Sequence, residues 1–471
     1  MDIFFASLGC DKNLVDSEKM LALIDKAGHR IIDDEAGADV IIVNTCSFIN
    51  DAMEESINSI IEYGKYKEEG SLKALIVCGC LAQRYQQDIF KELPEVDAVI
   101  GTNSYEHIVE AINNVVNADS KPTIIEPFDD AINPQGRMLS TGGHFAYLKI
   151  AEGCNKRCTY CIIPTLRGNY RSFELEDLVN EAKELVRGGV QELILVAQEI
   201  TVYGMDIYGK KSLPFLLDEL QKIDGLRWIR LLYCYPEEID DELIDAIVRN
   251  DKICHYIDMP IQHSSNKILK LMGRKTDQES LYNIINKLRD RIPDIVIRTT
   301  LIVGFPGESK EDFDELKEFV KKNEFERLGV FTYSRQEGTL AYDMANQIDD
   351  DIKKERLDEI MRLQMHISNK NNERLVGSVL DVFIEGRIAE DDDEDRIADE
   401  NDEGRIAEDT GEGRISEDGA NVYVGRTYRD APGVDGYFFV KSDMNLNSGD
   451  FVSCKVTSVN EYDLIGSIVS E

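Results

Sequence analysis

The sequence predicts an α/β protein of three domains: a parallel sheet flanked by helices, a partial (βα)6 barrel that is open on one side, and a small antiparallel β-barrel. Residues 1–125 and 144–370 each alternate short apolar runs with helical patterns. Strands that alternate with helices in this way form parallel sheets. Residues 371–471 instead contain short runs in which apolar and polar residues alternate, as in small β-barrels. A chain of 471 residues is long enough for three domains.

The amino-terminal domain, residues 1–125, has three clear strand candidates: DIFFAS, DVIIVN and KALIVC. Cys10, Cys46 and Cys80 each come just after one of these strands. Ligands of parallel sheets bind beyond the carboxyl ends of the strands, so the three thiols are expected to lie near one another. Spacing alone leaves two interpretations open, metal ligands and buried core thiols.

Residues 126–143 contain Pro, Gly and Ser without sustained periodicity, so we predict a linker there. The domain that follows, residues 144–370, has six strand candidates separated by helical segments. They are FAYLKIA, ELILVAQ, WIRLLY, HYIDMP, DIVIRTTLIVG and RLGVFTY. Six strand-helix repeats predict a barrel that does not close.

A charged helix from about Asp350 to Leu375 leads into the third domain, for which we predict five short strands. An insertion at about residues 386–420 interrupts it with a nine-residue acidic repeat, GRIAEDDDE, DRIADENDE, GRIAEDTGE and GRISEDGAN. Such composition does not favour a packed core, and we interpret the segment as an acidic hairpin insertion.

Composition limits the function classes. The formal charge of −37 disfavours bulk nucleic-acid binding, and we predict no dedicated DNA binding. The apolar runs are shorter than the roughly 20 residues of a membrane span. The start MDIFFASLGC lacks a basic leader, so we expect a cytoplasmic protein. Ten cysteines in a reducing compartment indicate metal ligands and buried thiols.

The strongest local motif is EGCNKRCTYC, which follows the first barrel strand and places Cys154, Cys158 and Cys161 in C-x3-C-x2-C spacing. Three thiolates on one loop can hold three irons of a four-iron cluster and leave the fourth iron open. A structural zinc site normally requires four ligands, and the nearest further candidate is His144, before the strand.

This motif resembles that of the radical S-adenosylmethionine enzymes, in which the open iron binds the methionine part of the cofactor. LIVGFPGE, Leu301 to Glu308, resembles their glycine-containing cofactor segment. In these enzymes a 5′-deoxyadenosyl radical removes the substrate hydrogen, so no side chain is assigned as catalytic. The resemblance implies cofactor contacts at Glu199, Gly304, Pro306 and Gly307. We also predict cofactor contacts at Tyr160, which could instead only exclude water, and at Arg335.

SLGCDKNLVDSE, NTCSFI and GCLAQRY further resemble the amino-terminal half of the methylthiotransferase family. That resemblance implies a second [4Fe-4S] cluster on Cys10, Cys46 and Cys80, which supplies sulfur. It also implies two cofactor molecules per turnover, an electron donor such as flavodoxin or ferredoxin, and a closing barrel like the TRAM domain.

Two motifs resemble one branch of this family, which modifies the β-carbon of an aspartate in small-subunit ribosomal protein twelve. These motifs are LGCDKN and GRTYRDAPGVDG. The tRNA-modifying branch typically has YGCQMN in place of LGCDKN. An acidic protein also suits a basic ribosomal partner. One departure is AQEITVYG, where AQDTTxYG is expected, at Glu199. The alternatives are a tRNA adenosine methylthiotransferase and a non-catalytic iron-sulfur or zinc module that binds ribosomes.

The remaining cysteines, one histidine and two arginines are not assigned to a metal. We predict that Cys78, Cys234, Cys254 and Cys454 are structural and that His263 forms hydrogen bonds without binding metal. Arg298 and Arg335 are predicted to lie on barrel strands, where they contact cofactor or substrate carboxylate, or form ion pairs.

Overall fold

The structure is a computed structural model that describes residues 1–68, 70, 72–118, 120–129, 133, 136–388 and 421–469. It contains two six-stranded sheets, a closed five-stranded barrel and a two-stranded ribbon. The fold class predicted from the sequence is confirmed.

The amino-terminal sheet is parallel throughout, with strand order β2-β1-β3-β4-β5-β6. Its strands are β1 (Asp2–Ser7), β2 (Arg30–Ile31), β3 (Val40–Thr45), β4 (Ala74–Gly79), β5 (Ala98–Ile100) and β6 (Thr123–Ile124). The accompanying helices are α1 (Asp11–Lys26), α2 (Asn50–Glu68), α3 (Cys80–Tyr85), α4 (Ile89–Glu92) and α5 (Ile108–Ala118). The three predicted strands are β1, β3 and β4, and the remaining three are too short to give a pattern.

The sequences of β3 and β4 explain their central position. Both strands are buried along their whole length, because helices cover the two faces of the sheet. A parallel strand covered on both faces is apolar in a continuous run and does not alternate. This places the ends of β1, β3 and β4 side by side.

The central sheet is also parallel, with strand order β14-β13-β12-β11-β10-β7. Its strands are β7 (Phe145–Lys149), β10 (Glu192–Val196), β11 (Trp228–Leu231), β12 (Ile253–Asp258), β13 (Val296–Val303) and β14 (Arg327–Thr332). All six predicted strands are confirmed, and β7 and β14 are the two edges of an open barrel. The ribbon pairs β8 (Ala151–Glu152) with β9 (Arg171–Ser172).

Helices cover the outside of this barrel and bury a large apolar core against its strands. They are α7 (Leu175–Arg187), α8 (Leu213–Leu220), α9 (Asp241–Arg249), α10 (Asn266–Leu271), α11 (Gln278–Arg291) and α12 (Lys310–Asn323), whereas α6 (Ile163–Arg167) packs against α3 of the amino-terminal domain. Local signals fix their starts. In α12, for example, Ser309 and Asp312 form a reciprocal capping box.

The predicted charged helix is α13 (Asp350–Glu373), and the five predicted strands after it form the closed barrel. They are β15 (Val379–Arg387), β16 (Asn421–Arg426), β17 (Phe438–Ser442), β18 (Phe451–Val459) and β19 (Leu464–Ile468). One pairing, β17 with β19, is parallel, whereas the other pairings are antiparallel. Residue alternation does not encode strand direction, so the sequence did not predict this pair.

The closed barrel is attached at the amino-terminal ends of the central strands. Glu192, the first residue of β10, accepts hydrogen bonds of 2.7 Å from Arg230 and from Arg426 of the closed barrel. Ala431 then packs against Tyr147 and Tyr256 on the inner face of the central sheet. The carboxyl ends of the central strands lie at the opposite end of the sheet.

The predicted domain limits, 1–125, 126–143, 144–370 and 371–471, stay a prediction. In the segment predicted as a linker, Arg137 and Ser140 both donate hydrogen bonds to the Glu18 carboxylate of α1. Most of the acidic insertion, residues 389–420, lies outside the described residues. No helix within the described ranges is both long and apolar enough to cross a membrane.

Candidate functional site: two cysteine groups at one interface

The central cysteine loop begins at the carboxyl end of the first barrel strand and is held tightly. Gly153 has φ +77°, and a Cβ atom there would lie 2.1 Å from the Asn169 carbonyl oxygen. Only glycine therefore fits before Cys154. The Cys161 N–H donates to the Cys158 carbonyl at 3.0 Å, and the Thr159 N–H donates to Met272 at 2.9 Å. The loop is thereby fixed to itself and to the end of α10.

The three thiols of this loop are close enough to influence one another's ionisation. Burial raises the pKa of Cys154 to about 11. Burial and the thiols of Cys158 and Cys154 raise the pKa of Cys161. Thiols of this kind are neutral unless a cation offsets the cost of a buried negative charge, and bound metal deprotonates them. Their chemistry fits iron ligation.

The amino-terminal cysteines follow three adjacent strands, as the sequence predicted. Cys10 is the N-cap of α1, Cys46 follows β3, and Cys80 is the first residue of α3. Burial, together with the nearby thiols of Cys80 and Cys10, raises the pKa of Cys46 to about 12. The structure thus brings the three thiols together at one edge of the sheet.

Glycine makes this second arrangement possible as well. Gly9 has φ +90°, and a Cβ atom there would lie 2.8 Å from Cβ of Cys46. Gly79 has φ +89°, and its Cβ would lie 2.3 Å from Oδ1 of Asn44. With Gly153, three of the six cysteines directly follow a glycine in a conformation that other residues rarely adopt. The repeated Gly-Cys pair is thus a local sequence signal for this site, which the strand pattern alone did not reveal.

Asn13 connects the loops that carry two of these cysteines. Its side-chain amide donates to the Leu8 carbonyl at 3.1 Å and to the Thr45 carbonyl at 3.0 Å. Its Oδ1 atom accepts a hydrogen bond from Arg167. One buried amide therefore joins the Cys10 loop, the Cys46 loop and the central domain.

The two cysteine groups meet at the interface between the domains. Cys80 forms a buried cluster with Ile162 and Leu166, and Ile162 directly follows Cys161. Across the same interface, Arg84 donates to the Gln336 side chain at 2.9 Å and to the Glu337 carbonyl at 3.0 Å. The amino-terminal group therefore faces the central cysteine loop.

A buried network of charged residues lies beside this contact. The Nη1 atom of Arg167 donates at 2.8 Å to Asp16 and at 2.8 Å to Glu152. Lys149 pairs with the same two carboxylates. Burial alone would raise the pKa of Glu152, but Arg167 and Lys149 hold it well below its usual value. The network is balanced only if both cations and both anions are present.

Several predicted cofactor contacts surround the central loop. The ring of Tyr160 packs edge to face on Phe305, with centroids 6.4 Å apart, beside Gly304, Pro306 and Gly307. Gly304 has φ +71°, and a Cβ atom there would lie 2.3 Å from Cγ of Lys353. The tight turn after β13 and the cysteine loop are therefore in contact.

Glu199 follows β10 and lies against the central loop. Its Oε2 atom is buried and forms an ion pair with Lys156 at 3.3 Å, and its Oε1 atom accepts a hydrogen bond from the Thr201 hydroxyl. Burial raises the pKa of Glu199 to about 7, against the opposing effect of Lys156. The Oε2 atom can accept a further hydrogen bond beside the Lys156 contact, and this fits a polar group of a cofactor.

Arg335 is placed differently from the prediction. β14 ends at Thr332, so Arg335 lies in the following loop and not on a strand. Its Nε atom donates to the Tyr342 carbonyl at 2.8 Å, and the side chain is exposed. Arg298 does lie on β13, where it pairs with Asp258 and Asp435. The apolar pattern ends at Tyr333, two residues before Arg335, so the alternation did not support a strand position for Arg335.

Two aromatic and cationic neighbours of the central cysteines were not predicted. The hydroxyl of Tyr235 lies 3.5 Å from Sγ of Cys158, and the Arg274 guanidinium lies 4.2 Å from the centre of the Tyr235 ring. Both residues are far from the motif in sequence, so no local signal pointed to them.

The cysteines predicted to be structural are all buried. Cys78 donates from Sγ to the Val43 carbonyl at 3.5 Å within the sheet. His263 accepts a hydrogen bond from the Ser265 N–H at 2.9 Å, in agreement with its predicted role.

Within the described ranges, no group of three or more His, Cys, Asp or Glu side chains is arranged to hold a metal ion. The ligands of one ion must converge on one point. In a four-iron cluster three thiolates each bind a different iron, so they need not converge in this way.

Three known families match parts of the chain. Residues 2–101 match "Uncharacterized protein family UPF0004", residues 148–320 match the radical SAM superfamily, and residues 412–469 match the TRAM domain. Each match falls in a different one of the three predicted domains.

Curated relatives are similar over their whole length. The ribosomal protein uS12 methylthiotransferase RimO of Lachnoclostridium phytofermentans is 53% identical, over 99% of this chain and 100% of the relative. The chain belongs to the ribosomal protein uS12 methylthiotransferase RimO family. A member of this family from Thermoanaerobacter sp. (strain X514) is 49% identical over 98% of this chain and 98% of the relative. A member from Clostridioides difficile is 46% identical over 100% of this chain and 99% of the relative. The resemblance predicted from the sequence is confirmed.

Solved structures support the fold of this methylthiotransferase family member. One similar structure is the radical S-adenosylmethionine methyltransferase TsrM from Kitasatospora setae, solved with cobalamin and a [4Fe-4S] cluster. Its TM-score is 0.54 at 14% identity, and the match covers 72% of this chain and 76% of the TsrM chain. The cobalamin-dependent radical enzyme OxsB has a TM-score of 0.52 at 12% identity, covering 77% of this chain and 56% of its own. At such low identity these likenesses concern the fold alone.

Proposed function

We propose that the protein transfers a methylthio group to the β-carbon of an aspartate in ribosomal protein uS12, the substrate named in its relatives. The observation that carries the proposal is the contact of Cys80 with Ile162 and Leu166, which sets one cysteine group against the other. A transfer between two reactive centres requires them to face each other across a short gap.

In this proposal Cys154, Cys158 and Cys161 hold one [4Fe-4S] cluster, and Cys10, Cys46 and Cys80 hold a second. When bound, the central cluster with S-adenosylmethionine supplies a radical that removes a hydrogen atom from the substrate, and the amino-terminal cluster supplies the sulfur that becomes methylated. Three cysteines for each cluster leave one iron of each without a protein ligand.

The chain's own residues orient these groups and control their surroundings. Tyr160 and Phe305 form an apolar wall beside the central loop, which excludes water from it. Glu199 offers a buried oxygen to the cofactor, and Gly304, Pro306 and Gly307 bring backbone close to it. Arg335, in the loop after β14, is also proposed as a cofactor contact.

Charge supports a protein substrate. The formal charge of −37 suits a basic ribosomal protein and opposes the phosphate backbone of tRNA. We further propose a cytoplasmic location and an electron donor such as a flavodoxin or ferredoxin.

Mass spectrometry tests this proposal. Reconstituted enzyme is incubated without oxygen with uS12, tRNA, S-adenosylmethionine, a reductant and sulfide. We expect one aspartate of uS12 to gain a methylthio group in place of hydrogen, and Cys154→Ala or Cys46→Ala to abolish the gain. A product on tRNA alone would contradict the substrate. A protein that does not cleave S-adenosylmethionine would indicate the non-catalytic module.

A further inference from the structure

The amino group of Lys12 is buried at the cysteine interface without a negative partner. Only 6% of the residue is exposed. Its Nζ atom lies 3.4 Å from the centre of the Tyr233 ring, and in the part of the chain that the structure describes it has no ion pair or hydrogen bond. The attraction of a cation to an aromatic face is weaker than the cost of burying the charge. An anion supplied from outside would complete its surroundings.

Tyr233 is held in place for this contact. Its φ of +63° is rare for a residue with a side chain. The Asp258 carboxylate accepts its N–H at 2.9 Å, and the Asp11 carboxylate accepts its hydroxyl at 3.0 Å. Asp11 and Lys12 directly follow Cys10 at the start of α1. Lys12 is therefore fixed beside the amino-terminal cysteines.

Other buried cations at the same interface are already paired. Lys149 contacts two carboxylates, and so does Arg167. Arg298 lines a cavity of about 70 Å³, but Asp258 and Asp435 neutralise it, and Asp11 lines the same cavity. A substrate carboxylate would meet excess negative charge there. Lys12 differs from these three cations in having no anion among the described residues.

We propose that Lys12 binds the side-chain carboxylate of the acceptor aspartate and so determines that the acceptor is an acidic residue. This inference rests on the proposed function, because it takes the substrate from it. Lys12 lies two residues after Cys10, so a carboxylate on its amino group brings the neighbouring β-carbon to the amino-terminal cysteines. The ammonium and the carboxylate form a charge-assisted pair in a site shielded from water.

A binding experiment tests the inference without turnover. Reconstituted full-length protein is mixed, without reductant, with uS12 or with uS12 in which the acceptor aspartate is changed to asparagine. Asparagine has nearly the same shape but no charge. We expect the wild type to bind the aspartate form at least about tenfold more tightly, the size of one hydrogen bond between charged groups.

Lys12→Met removes the charge and keeps the length of the side chain. We expect this variant to bind both forms of uS12 equally, with the affinity that the wild type has for the asparagine form. Lys12→Arg is expected to keep the preference. Lys26→Met, an exposed lysine at the end of the same helix, is the matched control and should behave as the wild type. Iron content and circular dichroism report on the integrity of each variant, and Lys12→Gln replaces Lys12→Met if that variant is unfolded.

The outcomes distinguish failure of the Lys12 inference from failure of the proposed function. Loss of discrimination in Lys12→Met with unchanged iron content supports the inference. A Lys12→Met protein that still prefers aspartate, or a wild type without any preference, overturns the inference and leaves the proposed function standing. Failure of the wild type to bind either form of uS12 overturns the proposed function and the inference together.

Discussion

The Nη2 atom of Arg167 lies 3.9 Å from Sγ of Cys80, so a guanidinium from the central domain contacts a thiol of the amino-terminal domain. Both groups are buried. In such surroundings a positive charge favours any state of a neighbouring group that carries more negative charge. Arg167 therefore links the two domains. It also stabilises added negative charge on a group bound at Cys80.

Replacement of Arg167 by methionine should lower the reduction potential of the amino-terminal cluster. The added electron would lose its neighbouring cation, and a drop of roughly 60 mV corresponds to a tenfold change in a one-electron equilibrium. Potentiometric titration in a Cys154→Ala background isolates this cluster. Arg167→Lys keeps the charge and should shift the potential less. An unchanged potential in Arg167→Met would show that the guanidinium acts only on Asp16 and Glu152.

Gly9→Ala should prevent assembly of the amino-terminal cluster. The new Cβ atom would lie 2.8 Å from Cβ of Cys46 and 3.2 Å from its Sγ. Gly28→Ala is the matched control, since Gly28 has a similar φ of +83° and no atom within 4 Å of the new Cβ. Visible absorbance after reconstitution should fall by about half in Gly9→Ala and stay unchanged in Gly28→Ala. Equal losses in the two variants would point to backbone strain instead of contact with Cys46.

Acid should destabilise the apo-protein through His263. Burial lowers the pKa of His263 to about 3, from 6.5 for a solvated histidine. Below pH 6.5 the unfolded chain binds a proton at His263, whereas the folded chain does not. The free energy of unfolding therefore falls as the pH falls from 6.5 towards 3. At pH 5 the loss amounts to roughly 2 kcal/mol.

His263→Asn provides the comparison, because asparagine can accept the Ser265 N–H but does not titrate. The difference in unfolding free energy between wild type and variant, measured with urea, should shrink by roughly 2 kcal/mol between pH 7 and pH 5. His366→Asn, at an exposed histidine, is the control for the same replacement at the surface. A constant difference for His263→Asn would mean that the folded and the unfolded protein take up a proton at this imidazole equally.

Glu192→Gln should loosen the attachment of the closed barrel. The substitution leaves Arg230 and Arg426 buried, with Glu385 as the remaining carboxylate on Arg426. Breaking a buried ion pair from one side costs about 3 to 5 kcal/mol. Urea unfolding measures the loss. Glu219→Gln, which breaks an exposed pair with Lys222, should cost less than about 1 kcal/mol. A similar cost in both variants would contradict the role of Glu192.

The sequence predicted most of the architecture because apolar runs mark buried parallel strands. It did not predict β2 or β6, since two residues cannot show a period. It also did not predict the parallel pairing of β17 with β19, because pairing depends on contacts between distant parts of the chain.

The candidate site was predictable to the extent that its residues share short motifs. The central cysteines lie within one motif. The grouping of Cys10, Cys46 and Cys80 was predicted because ligands of parallel sheets bind beyond the carboxyl ends of the strands. Contacts such as Cys158 with Tyr235 join residues far apart in sequence, and composition does not encode them. The same holds for Lys12 and Tyr233, which meet only after the domains have packed.

Iron bound per chain after anaerobic reconstitution tests most directly whether the two cysteine groups hold separate clusters. The wild type should bind two clusters, Cys46→Ala and Cys154→Ala should each bind one, and Cys78→Ala should bind two because its thiol faces the Val43 carbonyl. Two clusters retained in Cys46→Ala, or none in either single variant, would contradict separate clusters on the two groups.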